Sequence, residues 1–229
     1  MRTKTIFPIL VCLALCGAAP ARAAAIIVNF TIATGPLQGN PAGPFSLDFQ
    51  LNDGSGTGDA NNTAVLSSFL FGPGGGPVGS AALAGGATGN LGSFIQLTDS
   101  GFLNEFTQGF TPGSLLQFQL SLTTNVDAGG TPDQFSMAIL DSSGAQLPTL
   151  SFFDVFVEID VDSANPVVQT FASDPSRNTV AGGAPLNLAA PSFTSGSPTP
   201  EPGTIFLAGC ALITIALRRH RLLRRKQGI

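Results

Sequence analysis

The sequence predicts an all-β protein: an antiparallel β-sandwich of jelly-roll type, flanked by an N-terminal signal peptide and a single C-terminal hydrophobic helix. Three observations carry that prediction. Apolar residues recur at every second position in run after run, as in Phe45, Leu47, Phe49 and Leu51. Clusters of Gly, Pro, Asn and Asp separate the runs at strand-like intervals. Between residues 24 and 199 no stretch keeps a helical period over three turns. Alternation with frequent turn signals suits half-buried strands in an all-β sandwich, although turn spacing leaves jelly-roll and immunoglobulin-like connectivity both open.

Taken in order, the chain opens with Arg2 and Lys4, followed by an apolar stretch from Ile6 to Ala19. Ala21-Arg22-Ala23 then offers the small-x-small pattern of a signal-peptidase site, with Ala21 and Ala23 as the cleavage residues and a mature start near Ala24. Period-2 runs follow at 26–32, 45–51, 65–71, 94–98, 104–110, 116–123, 135–140, 153–161 and 167–171. The Gly/Ala/Pro-rich stretch from Gly72 to Gly92 reads as a long flexible loop with at most one weak strand. The uncharged Ala/Ser/Pro/Gly stretch 181–199 reads as an extended linker, which bounds the folded domain at 24–180.

Charge is sharply partitioned. The whole chain carries −4, but residues 24–199 hold 13 Asp and Glu against Arg177 alone, a net charge of −12. Such a surface repels phosphate backbones and excludes nucleic acid as a partner. The three cysteines (Cys12, Cys16, Cys210) and the one histidine (His220) fall outside this segment, which also lacks Lys, Tyr and Trp. That removes Ser-His-Asp and Cys-His catalysis, Schiff-base chemistry and zinc sites built on His or Cys. Paired carboxylates are the remaining catalytic option, and the expected protein is not an enzyme.

The C-terminus has three parts: Pro200-Glu201-Pro202, an uncharged run over 203–217, and a basic cluster over 218–226 that begins Arg218-Arg219. Arg and Lys stay on the cytoplasmic side of a membrane while the apolar run enters it, so the preceding domain is expected outside the cytoplasm. The run has 15 residues, about 22 Å of helix against a hydrocarbon core of about 30 Å. That is short for a permanent anchor and suits a recognition element that is later removed. The order and spacing of Pro200, Glu201, Pro202, the short span and Arg218 and Arg219 resemble the PEP-CTERM sorting signal of bacterial exported proteins. The resemblance implies processing by exosortase, a membrane transpeptidase usually found with exopolysaccharide genes, and hence a transient membrane stage. Within the body, Phe49-Gln50-Leu51-Asn52-Asp53-Gly54, Asp59-Ala60-Asn61-Asn62-Thr63, Leu97-Thr98-Asp99-Ser100, Glu105-Phe106-Thr107 and Asp133-Gln134-Phe135 resemble a recurring group of such exported proteins. That group implies no activity.

Two stretches could carry chemistry. In Asp53-Gly54-Ser55-Gly56-Thr57-Gly58-Asp59 with Asn61 and Asn62, oxygen-bearing side chains alternate with glycines that let a loop curl. Asp53, Ser55, Thr57, Asp59 and Asn61 are therefore candidate calcium ligands. Ala64 occupies the place of the twelfth-position Glu, so this is not an EF-hand. The other stretch is 153–162, where alternation would put Asp154, Glu158, Asp160 and Asp162 on one strand face, with same-face neighbours about 7 Å apart. Paired carboxylates at such spacing serve glycoside hydrolases, but they are also common on solvated strands. The resulting expectation is an exported, non-enzymatic cell-surface or matrix protein associated with exopolysaccharide. A calcium-assisted carbohydrate-binding module and a carboxylate-based glycoside hydrolase are the alternatives.

Overall fold

A computed structural model of the chain describes residues 25–55, 58–127, 130–177 and 186–196. The expected signal peptide, its cleavage residues Ala21 and Ala23, and the whole sorting tail from Pro200, Glu201 and Pro202 through Arg218 and Arg219 lie outside the described residues, as does Thr57. Among the described residues no helix is long and apolar enough to cross a membrane.

The described residues form twelve strands in two six-stranded sheets. The first runs in the order β12 (Ser192–Gly196), β1 (Ala25–Ile32), β8 (Leu116–Thr123), β3 (Thr63–Leu70), β6 (Ile95–Thr98), β5 (Gly86–Gly89). The second runs β11 (Val168–Thr170), β10 (Val157–Asp160), β9 (Gln134–Leu140), β2 (Phe45–Asn52), β7 (Leu103–Thr111), β4 (Gly76–Ala84). Every pairing is antiparallel, and β1 pairs β8, β2 pairs β7 and β3 pairs β6 in a nested series.

Period-2 alternation explains the layers. In β8, Leu116, Phe118, Leu120 and Leu122 are buried while Gln117, Gln119, Ser121 and Thr123 face outward. The inner faces of the two sheets meet through phenylalanines. Phe49 of β2 lies edge-on to Phe118 of β8, ring centroids 5.4 Å apart, and 6.1 Å from Phe69 of β3. Each Phe fully removed from water contributes about 1.5–3 kcal/mol, and edge-on rings add a smaller directional term.

Three expectations are corrected. The stretch Gly72–Gly92 is not a flexible loop; it supplies β4 and β5, the edges of the two sheets. Small residues are what the β5 edge requires. A Cβ on Gly86 would lie 2.2 Å from the Thr98 carbonyl oxygen, and one on Gly89 2.1 Å from that of Phe94. Glycine here permits close strand approach rather than mobility.

The linker assigned to 181–199 is also not a linker throughout. Leu186 and Leu188 are buried in the core, where the Leu188 N–H donates to Ser173 Oγ at 2.7 Å. Ser192–Gly196 then pairs with β1, with Phe193 packed 6.0 Å from Phe30. The folded domain therefore continues past residue 180 to Gly196, and any spacer before Pro200 is short.

Finally, the strand expected over 153–161 shrinks to Val157–Asp160. Asp154 adopts a left-handed conformation (φ 57°) and breaks the alternation, so Phe156 is buried on what should have been the solvent side. Arg177 holds that turn by pairing with Asp154 and Asp174.

Candidate metal centre

Strand register brings carboxylates together at one end of the sandwich. β2 and β9 are antiparallel neighbours with Asn52 opposite Gln134. Asp53 follows Asn52 and Asp133 precedes Gln134, so the two carboxylates leave adjacent strand ends side by side. Like charges in that position repel unless something bridges them. Asp127, on the segment that leaves β8, completes a triad whose ligand atoms all lie within 4.8 Å of one another. Asp53 and Asp133 are buried, and Asp127 is half-buried.

Asn62, fully buried just before β3, organises the surroundings. Its side-chain amide donates to Asp133 Oδ2 at 2.7 Å and to the Asn125 carbonyl at 2.8 Å. Its side-chain oxygen accepts the Asn125 N–H at 2.9 Å and the Thr123 hydroxyl at 3.1 Å. Its backbone N–H donates to Asp99 Oδ2 at 2.8 Å. The Gly54 N–H donates to Asp133 Oδ1 at 2.8 Å. Only glycine fits there, because a Cβ would lie 2.2 Å from the Thr131 carbonyl oxygen.

The electrostatics are strained in one direction. Burial pushes the Asp53 carboxyl above its usual range, and the nearby charges of Asp133, Asp59 and Asp127 add to the effect against the opposing Gly58 N–H. Burial, reinforced by Asp133 and Asp59, pushes Asp99 up to about 7. Several oxygens are buried with no hydrogen-bond partner, among them Asp53 Oδ1, Asn61 Oδ1, Asp99 Oδ1 and Asp127 Oδ2. Buried polar atoms are rarely left in that state.

The five ligands predicted from the sequence separate. Asp53 belongs to the triad. Asn61 touches it, since its amide donates to Asp127 Oδ1 and, at 2.8 Å, to Asp59 Oδ2. Asp59 thus orients Asn61. Ser55 turns away and exchanges hydrogen bonds with the backbone of Thr131. The loop is not a self-contained chelate. Asp127 and Asp133 were not singled out from the sequence, although they bound a second Gly-containing sequence stretch, Asp127-Ala128-Gly129-Gly130-Thr131-Pro132-Asp133, similar in composition to the one begun by Asp53.

The other candidate group is dispersed. Glu158 and Asp160 share the outer face of β10, where Asp160 accepts from Gln134 Nε2 at 2.8 Å and burial, helped by Asp160, raises the Glu158 carboxyl. Asp154 is engaged by Arg177, and Asp162 is exposed beyond the strand end.

All donors at the triad are oxygens, which suits a hard divalent cation such as calcium rather than a metal that prefers nitrogen or sulfur. Compared with known proteins, the chain matches no family model, no curated protein and no solved structure.

Proposed function

We propose that this is an exported, non-enzymatic protein of the cell surface or extracellular matrix that associates with neutral polysaccharide. In this reading the nested strand pairing is a jelly roll. The PEP-CTERM-like tail delivers the domain through a transient membrane stage to exosortase.

One observation carries the glycan part of the proposal. The six strands of the first sheet contain no charged residue, in a domain whose net charge is −12. Their outward side chains combine amides and hydroxyls with the apolar Ile27, Val65 and Leu70; Gln119 Nε2 donates to Asn29 Oδ1 and Gln117 Nε2 to Thr31 Oγ1, each at 3.0 Å. At a bulge between Ser67 and Leu70 this face opens into a groove of about 230 Å³ lined by Asn29, Thr31, Ser68, Leu70, Gln117 and Gln119. Amides and hydroxyls exchange hydrogen bonds with sugar hydroxyls, and the exposed Leu70 offers an apolar contact to a ring face. The acidic triad favours a second, related reading in which calcium assists glycan binding.

Affinity electrophoresis tests the proposal. Soluble neutral glucans should retard the protein while alginate does not; equal mobility with every neutral glucan tried would refute glycan association. The sorting part is tested separately. Replacing Pro200, Glu201 and Pro202 by alanine should retain the full-length form in the membrane fraction, and normal release would count against exosortase processing.

A further inference from the structure

We infer that the loop end of the sandwich is a calcium site, with Asp53, Asp127 and Asp133 as anionic ligands and the Asn61 side-chain oxygen as a fourth donor. The first argument is geometric. Calcium–oxygen bonds are about 2.3–2.6 Å long, so two ligands of one ion lie no more than about 5 Å apart. The three carboxylates meet that limit, with one oxygen from each within 4.8 Å of the others.

The second argument is how the side chains are held. Asp53 receives the Gly58 N–H on Oδ2, while its Oδ1 is buried and has no partner. Asp127 receives the Asn61 amide on Oδ1, while its Oδ2 is buried and has no partner. Asn61 uses its amide nitrogen on Asp59 and Asp127 and leaves Oδ1 without one. In each case one atom is tethered by a neighbour and the other oxygen is left for a cation. This is how surrounding hydrogen bonds fix metal ligands. Asp53 is 1% exposed, so bulk water does not satisfy that oxygen.

The third argument is charge. Among the described residues Arg177 is the sole Arg or Lys, and it is engaged by Asp154 and Asp174. Among the described residues no cation therefore compensates the triad. An ion there would tie the segment after β2 to the connection between β8 and β9, joining parts of the chain that are remote in sequence. Magnesium suits this set less well, since it retains its waters and rarely takes an all-protein cage.

Isothermal titration of the purified full-length chain, stripped with chelator, with calcium chloride is the direct test. We expect one calcium per chain, and a melting temperature about 5–10 °C higher at calcium concentrations well above Kd. Magnesium at the same concentration should give a clearly smaller shift. Asp127→Asn, at the half-buried ligand, should weaken calcium binding at least about tenfold. Asp141→Asn, in a separate exposed turn, should bind as the parent does. If Asp127→Asn fails to fold, Asn61→Ala replaces it, with the same loss expected. A folded parent chain with neither binding heat nor a thermal shift would overturn the inference, as would parent-like affinity in the folded Asp127 or Asn61 variant.

Discussion

The two sheets have nearly equal strand content and opposite outer faces. In β6 and β8 the first sheet alternates apolar inside and uncharged polar outside, while β3 bulges and leaves Leu70 exposed. The second carries Asp48, Glu105, Glu158 and Asp160 in its strands. Its centre is also shielded on the outer side, where Asp48 and Ser136 are buried along with Ala138. The difference teaches that the domain's negative charge is not spread evenly. One sheet is left neutral and open to solvent, whereas the other holds carboxylates where water reaches them poorly.

Asp48 offers the larger test of this contrast. It lies in the central region of the second sheet, its Oδ2 accepts from Gln50 Nε2 at 2.8 Å, and its Oδ1 is buried without a partner. Burial, then the charge of Glu105, pushes this carboxyl from 3.8 up to about 7. Because the folded-state value is the higher one, the fold binds the proton more tightly than the unfolded chain does. The resulting stabilisation is fully present below pH 4, shrinks as pH rises, and is gone above about 7. Asp48→Asn should therefore stabilise the protein by about 2–4 kcal/mol at pH 8. That advantage should narrow steadily toward pH 4 in urea-melt series run in parallel. A pH-independent difference would show that Asp48 is not the group responsible.

A smaller effect on stability, but a decisive one for function, is expected on the first sheet. Gln119→Glu places a charge beside Asn29 on the neutral face. It should cost no more than about 1 kcal/mol of stability while lowering retention by neutral glucans severalfold in affinity electrophoresis. Gln169→Glu, on β11 of the second sheet, should leave retention unchanged. Equal losses in the two variants would erase the distinction between the faces.

Much of the architecture was legible because alternation is a local signal. Phe45–Asn52 and Leu116–Thr123 announce both their strand character and their buried face. Three of the four edges were not legible, since β4, β5 and β12 are built largely from Gly, Ala, Ser and Pro, whose composition reads as loop. Their strand identity comes from a neighbour's backbone, which no local pattern reveals. The metal centre was half legible for the same reason. Asp53 and Asn61 stood out within one glycine-rich stretch, but Asp133 reaches Asp53 only through the register of β2 against β9. Asn62 belongs to the same stretch, but its role as the buried hub that connects Asp133, Asp99 and Asn125 depends on partners remote in sequence.

The pairing of β12 with β1 has a consequence for engineering. Ile27 sits opposite Gly196, so the first and last described strands end beside each other. Joining those ends through a few glycines and reopening the chain at the exposed Ser142–Gly144 turn would give a circular permutant with every strand pairing retained. In such a molecule the new termini would lie at the Ser142–Gly144 turn, and no strand would be taken from either sheet.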